Sequence, residues 1–453
     1  MPSSPSSSSS IAPRRPLAAR VLPSSVFYGW WVTLGCGFVL LVGVGIGFYV
    51  LPIFLQPLQE EHGWSNSAVS GATGVYFSVA GLTSAVIGPY VDRRGPLGFL
   101  TAGVTLLGLT LITVGLVEEL WQLYVVYAVM AVAFSMGSNV GTNSIMTRWW
   151  IHRRARAMSV AFSFISLGGA VFAPLGDWLI STGGVSRAAT VLGVLVIVIA
   201  LPPILGVLVW DPAEMGLEPD DGWTPTRPRR SGIIGDQYRT WSRSAAARTV
   251  PFWAVLFGFT IVLFCQVGFL AHEVAFLTDR YDSGTGARAI AVSAIGSAIA
   301  RLIVGTFADA VDKRLLTMVL VLLQGATVAG FVMFDALAVN YLLALVFGFT
   351  MGNIFMFQAL LVGEIFGIAS FGSIFGLTSA VSQIAGGGGP VFIGWLESTS
   401  GSYSLPFMVT AVLTALASFV IAQARPLVGA AGAQPAERPV PVRPTTAPAS
   451  LPD

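Results

Sequence analysis

Charge is scarce in this chain, and lysine is nearly absent. Asp, Glu, Lys and Arg make up only 10% of the 453 residues, against roughly 25% in an ordinary soluble domain, which excludes a water-soluble globular protein. The single lysine is Lys313. No Gly-x-x-x-x-Gly-Lys-Ser/Thr loop occurs, so a fused ATPase is excluded. The two cysteines, Cys36 and Cys265, sit in apolar runs without ligand-like spacing, so neither a disulfide framework nor a zinc site is indicated. No nucleophile–base set or metal cluster falls at membrane depth, so an enzyme is not expected. Nothing calls for a cofactor or a nucleic-acid partner.

What the chain does have is apolar length. Hydrophobic residues make up 54% of it, in runs near 20 residues that lack the polar–apolar alternation of barrel strands, so helices embedded in a lipid bilayer are expected. Residues 1–25 are Ser/Pro-rich and read as a disordered tail, not a cleaved signal peptide, because the apolar run from Phe27 is too long. Twelve spans follow, at 27–55, 68–90, 98–117, 121–147, 157–180, 188–209, 252–277, 287–308, 315–334, 339–362, 371–396 and 403–423. They define an all-α membrane protein, with a first six-helix unit over 26–209 and a second over 252–423. A polar linker, 210–251, separates them, and 424–453 is a low-complexity tail.

The basic residues orient the bundle. Of 24, 20 fall in the tails, the even-to-odd loops and the linker, whereas Arg187, Arg280 and Arg288 fall on the opposite side. Such a bias places both termini and the linker in the cytoplasm of a multi-pass cell (inner) membrane protein.

Arg301 is the exception, because it lies inside a span. From Ala289 to Phe307 every other residue is apolar, Gly, Ser or Thr. A guanidinium at the bilayer centre costs roughly 3 to over 10 kcal/mol, which a chain retains where the group faces a wet cavity, an anion or an intramembrane acid. If Asp309 marks the cytoplasmic surface, eight residues at 1.5 Å each lift Arg301 by about 12 Å, towards the midplane of a core about 30 Å thick. Residues 301, 305 and 309 share one helix face.

The chain also repeats itself. Span 2 ends in Gly88-Pro-Tyr-Val-Asp92-Arg93-Arg94-Gly95, and span 8 in Gly305-Thr-Phe-Ala-Asp309-Ala-Val-Asp312-Lys313-Arg314. Glycine allows close helix approach, while aspartate can accept from helix N-terminal amides or pair with a loop arginine. Two copies at matching positions argue against an ordinary charged turn. Asp92 and Asp309 are therefore assigned to gating, together with Gly88, Arg93 and Gly305, and not to substrate contact.

On these residues the sequence resembles the major facilitator superfamily, whose Gly-x-x-x-Asp-Arg-x-Gly signature matches 88–95. Within it, Tyr28-Gly29-Trp30-Trp31, Trp64-Ser65-Asn66-Ser67, Arg148-Trp149-Trp150 and Glu364-Ile365-Phe366-Gly367 resemble the monocarboxylate transporter and oxalate/formate antiporter branch. The resemblance implies two pseudo-symmetric six-helix bundles that alternate access around a central site, a monomer by default, and a carboxylate-binding role for Arg301. A planar guanidinium fork suits a carboxylate. It also supports a site role for His272, which with Glu273 is a candidate for coupling a proton; the bland alternative has Glu273 facing headgroups and His272 bonded to a neighbouring helix.

Cavity-lining candidates are Tyr49, Asn139, Asn143 and Gln383, although polar side chains also hydrogen-bond between packed helices. The Gly386–Gly389 run before Pro390 reads as a bend, and Asp177 as solvated or paired with Arg187. Two departures from the branch matter. Oxalate carriers have a lysine where this chain has Ser382 and Gln383, and animal-type carriers have an aspartate where it has Ser297. One buried cation fits one carboxylate better than two. The expected activity is secondary transport of a small organic anion, a monocarboxylate, coupled to a proton or counter-anion. An exporter of drugs or neutral metabolites with a structural Arg301 is the first alternative. A non-transporting sensor is the second, disfavoured by a short, Pro-rich linker.

Overall fold

The computed structural model describes residues 16–21, 23, 25–47, 51–222, 240–281 and 285–425. Its regular elements there are helical. We number the spans α1 (Tyr28–Gly47), α2 (Asn66–Arg94), α3 (Leu97–Val114), α4 (Leu120–Gly137 and Asn139–Trp149), α5 (154–183), α6 (185–206), α7 (Val250–Arg280), α8 (Thr285–Phe307), α9 (Lys313–Met333), α10 (Leu337–Ile365), α11 (Phe371–Ser400) and α12 (Ser404–Ile421). Ten helices are long and apolar enough to cross a membrane. One of them, Arg154–Gly206, turns back at Gly184 to supply both α5 and α6, and the 30-residue α11 is diluted by glycine and serine. Twelve passes result.

Local chemistry sets the ends. Ser65 caps α2 by accepting from the Ala68 amide. Glu119 and Gln122 form a reciprocal capping box at α4, and Asp312 takes the Arg314 and Leu315 amides of α9. The α5–α6 turn needs φ +77° at Gly184, a left-handed value that glycine reaches without Cβ strain.

Helix pairing repeats across the two halves. In the first bundle α1 packs on α5, α2 on α4 and α3 on α6; in the second, α7 packs on α11, α8 on α10 and α9 on α12. The bundles meet along α2–α11 and α5–α8, which are equivalent pairs under the duplication. Large apolar side chains such as Leu82, Val86, Leu109, Val198, Leu302 and Leu416 stay exposed, as a lipid-facing perimeter requires.

Several expectations change. Span 1, expected over 27–55, is described as helix over Tyr28–Gly47 and Leu51–His62, and residues 48–50 lie outside the described residues. Span 4 breaks at Ser138 (φ −133°, ψ −107°). The glycine run before Pro390 does not interrupt α11, which is helical throughout. There the absent side chains serve packing, since a Cβ on Gly389 would overlap the Phe264 carbonyl of α7. Asp177 is exposed and, among the described residues, pairs with no cation. Lys313 lies buried at the start of α9, with its ammonium 3.4 Å from Glu364.

The segment after α6 is strapped to the first bundle. Asp211 pairs with Arg148 at 3.0 Å, and the Trp149 indole donates to the Val209 carbonyl at 2.8 Å. Asp220, 1% exposed, accepts from the successive amides of Ile151, His152 and Arg153 at 2.8, 2.7 and 3.1 Å. Hydrogen bonds to a charged acceptor contribute about 1.5–3 kcal/mol each. Asp220→Ala is therefore expected to lower the thermal midpoint of the detergent-solubilised protein by several degrees; an unchanged midpoint would show that the strap is dispensable.

Candidate functional site

Arg301 lies on α8 where that helix meets α5 of the other bundle. It is 5% exposed. Its Nε donates to the Gly352 carbonyl of α10 at 2.8 Å, which fixes the guanidinium plane, and Nη1 donates to Ser166 Oγ of α5. The side chain is thus anchored in its own bundle and reaches across the seam. Gly352 permits this approach, since a Cβ there would lie 2.6 Å from Ser297 Oγ. The neighbouring Asn353 is fully buried, and its Oδ1 has no donor.

The two repeated aspartates close the seam on the linker side. Asp92 at the end of α2 accepts from the Gly372 and Ser373 amides at 2.7 and 2.6 Å. Asp309 accepts from the Ala155 and Arg156 amides at 2.9 Å each. Helix N-terminal amides, one of the two kinds of partner expected, bond both carboxylates, in each case from the opposite bundle. The first turn of a helix leaves amides unbonded and carries a partial positive charge. The glycines one turn earlier make the approach possible. A Cβ on Gly88 would overlap the Gly372 carbonyl oxygen, and one on Gly305 would overlap Ser159. Arg93 is exposed.

His272 and Glu273 diverge. His272 is half-buried and faces α11 and α12, with Nε2 3.0 Å from the Pro390 carbonyl and Nδ1 3.4 Å from the Tyr403 hydroxyl. Because a carbonyl only accepts, Nε2 carries the hydrogen and Nδ1 accepts. Glu273 turns inward instead of facing headgroups. It is fully buried, and neither carboxylate oxygen has a hydrogen-bond partner among the described residues. Its polar neighbour Ser293 donates to the Ala344 carbonyl at 2.9 Å. The pair lies seven to eight residues inside the α7 end at Arg280.

The remaining candidates scatter. Asn143 is 1% exposed, and among the described residues neither its side-chain amide atoms nor Asn139 Oδ1 has a hydrogen-bond partner. Gln383 is occupied by Ser379 Oγ at 3.1 Å. Tyr49 lies outside the described residues. Ser166, Gly352 and Asn353 were not anticipated, because nothing in an isolated span marks which serine or glycine faces a cation on another helix.

An all-helical membrane protein with duplicated bundles, reciprocal aspartate caps and a cation at the seam is a transporter, not an enzyme. The Major Facilitator Superfamily model matches residues 37–390, and the chain belongs to that family. Among curated relatives, rat (Rattus norvegicus) monocarboxylate transporter 13 is 23% identical over 414 residues, covering 89% of this chain and 90% of its own length, which supports the monocarboxylate branch. Among solved structures, the human organic anion transporter MFSD10 superposes with a TM-score of 0.65 at 15% identity, covering 88% of this chain and all of that one. FucP in its outward conformation gives 0.65 at 13% identity, covering 86% of this chain and 97% of its own. At these identities the two structures speak for the fold alone.

Proposed function

We propose that this protein is a secondary-active transporter of small monocarboxylates, with Arg301 as the carboxylate counter-ion. The observation that carries the reading is the guanidinium at the inter-bundle seam, oriented by Gly352 and reaching Ser166 of the other bundle. A serine hydroxyl is a neutral acceptor; a carboxylate offers charge-assisted bonds roughly twice as strong. Substrate would therefore displace Ser166 and replace a protein contact between the bundles with a bound anion. Asn353, next to the Gly352 that orients Arg301, has an Oδ1 suited to accept from a substrate hydroxyl. Rocking of the bundles would break and remake the Asp92 and Asp309 caps. The arginine bias supports a cytoplasmic orientation of this latched face. Coupling to a proton falls to Glu273 or His272, and exchange against a counter-anion is the alternative.

The test is uptake of labelled lactate into proteoliposomes of the purified protein, under imposed pH gradients and after preloading with unlabelled anions. Acetate and pyruvate are expected to compete, whereas lactamide and oxalate do not. Equal competition by lactamide would overturn the reading, because the amide keeps the shape and loses the charge. One observation favours an exporter with a structural arginine: the guanidinium donates to the Gly352 carbonyl and to Ser166, both protein groups. The Arg301 variants discussed below separate the two.

A further inference from the structure

We infer that Arg243, in the linker, is a gate residue that bolts the two bundles together beside Asp92, through a carbonyl that Pro89 leaves unbonded. The argument starts in α2. A helical carbonyl accepts from the amide four residues ahead, and proline has no N–H to give. Pro89 lies inside α2, so the carbonyl of Ala85 has no donor from its own helix. Inside an apolar seam such a group costs free energy unless another donor reaches it.

Arg243 is that donor. Its Nη2 donates to the Ala85 carbonyl, and its Nε donates to the Ser373 carbonyl of α11 at 3.2 Å. One guanidinium thus holds α2 of the first bundle and α11 of the second. Ser373 is also the residue whose amide caps Asp92, so bolt and latch share a residue. Burial lowers the Arg243 pKa from its ordinary value, and the nearby Asp92 carboxylate opposes that shift.

The linker around Arg243 is fixed to the second bundle. The Trp241 amide donates to Ser370 Oγ at 2.7 Å, the Trp241 ring stands edge-on to Phe366, and Ser242 caps the short helix Arg243–Ala246. The arginine projects from this platform to Ala85, so separation of α2 from α11 must break its contact with one of the two bundles. The linker is then a working part of the gate and not merely a tether. The inference concerns the gate alone and holds whatever the substrate.

The experiment uses the full chain in liposomes with a reporter in the seam. Ala380 is 3% exposed and lies between Gly376 and Ile384 on the α11 face that meets Gly81 and Ser84 of α2. The rate at which N-ethylmaleimide modifies Ala380→Cys reads opening, and the native Cys36, fully buried in α1, reads unfolding. Arg243→Ala is expected to raise labelling at position 380 about tenfold, as loss of one hydrogen bond to a charged group predicts, while Cys36 stays protected. Pro89→Ala returns a donor to the Ala85 carbonyl. In that background the effect of Arg243→Ala should shrink to under about threefold, the non-additivity expected of groups that share a contact. Wild-type labelling in Arg243→Ala would overturn the inference. So would an equal effect in both backgrounds, or labelling of Cys36, which would make Arg243 a fold residue.

Discussion

Arg301→Gln is expected to reduce monocarboxylate uptake at least about a hundredfold while leaving a folded protein. Breaking one side of a buried ion pair costs about 3–5 kcal/mol, or two to three orders of magnitude in carboxylate affinity. Glutamine keeps a polar group at this position, but it offers the substrate no charge. Stability should change little, because the two lost hydrogen bonds, at about 1 kcal/mol each or somewhat more, are offset by removal of a cation from the membrane interior. Arg301→Lys should fall between, since an ammonium keeps the charge but loses the fork that is oriented by Gly352. Uptake and thermal midpoint must be measured on the same preparations. Retained uptake in Arg301→Gln would sink the counter-ion role and favour the exporter reading. Lost uptake with a collapsed midpoint would mark Arg301 as a residue of the fold.

Gly88→Val is expected to abolish turnover without unfolding either bundle. The atoms that a Cβ at Gly88 would meet are the Gly372 carbonyl oxygen and carbon and Ser373 Cα. All three are backbone of the opposite bundle, so no rotamer change relieves the overlap. The seam must part, and the two short hydrogen bonds that Asp92 accepts from Gly372 and Ser373 are lost with it. The helix pairs inside each bundle are untouched. Uptake should fall by more than about tenfold, as expected for charge-assisted bonds of about 1.5–3 kcal/mol each, and labelling of Ala380→Cys should rise. Gly387→Ala is the control, because nothing lies within 4 Å of a Cβ at that position. Equal transport by Gly88→Val and Gly387→Ala would show that the seam need not close.

The spans were legible because a bilayer demands long apolar helices whatever their neighbours. The loops at Asp92 and Asp309 were legible because the repeat presents the same residues twice. The partners of those carboxylates were not, since residues 92 and 372 are brought together only by the meeting of the bundles. The break at Ser138 was hidden because no proline marks it, and glycines such as Gly137 and Gly141 occur in unbroken membrane helices as well. The Gly386–Gly389 run was legible only in part: glycine in a membrane helix serves close packing as well as bending, and the approach of the Phe264 carbonyl to Gly389 could not be read from the sequence. Glu273 was half legible. Its depth could be counted, but 100° of helix rotation separates it from His272, and the sequence could not say which of the two faces the bundle interior. Arg243 looked like one more cation in a polar linker. Pro89 was the available signal, because a proline inside a span announces an unclaimed carbonyl four residues earlier.

The turn at Gly184 gives α5 the mechanics of a lever. No loop intervenes between α5 and α6, so the far end of α5 is a fulcrum without play. Its near end carries the Ala155 and Arg156 amides that Asp309 grips, and Ser166 lies partway along its shaft. At 1.5 Å per residue an arm of about 30 residues is about 45 Å long, so a tilt of about 10° sweeps its near end through about 8 Å. A shift of that size far exceeds hydrogen-bond reach at Asp309, yet at Ser166, closer to the fulcrum, the sweep is only about half to two-thirds as large. Small rotations at one face are thereby geared into complete release at the other.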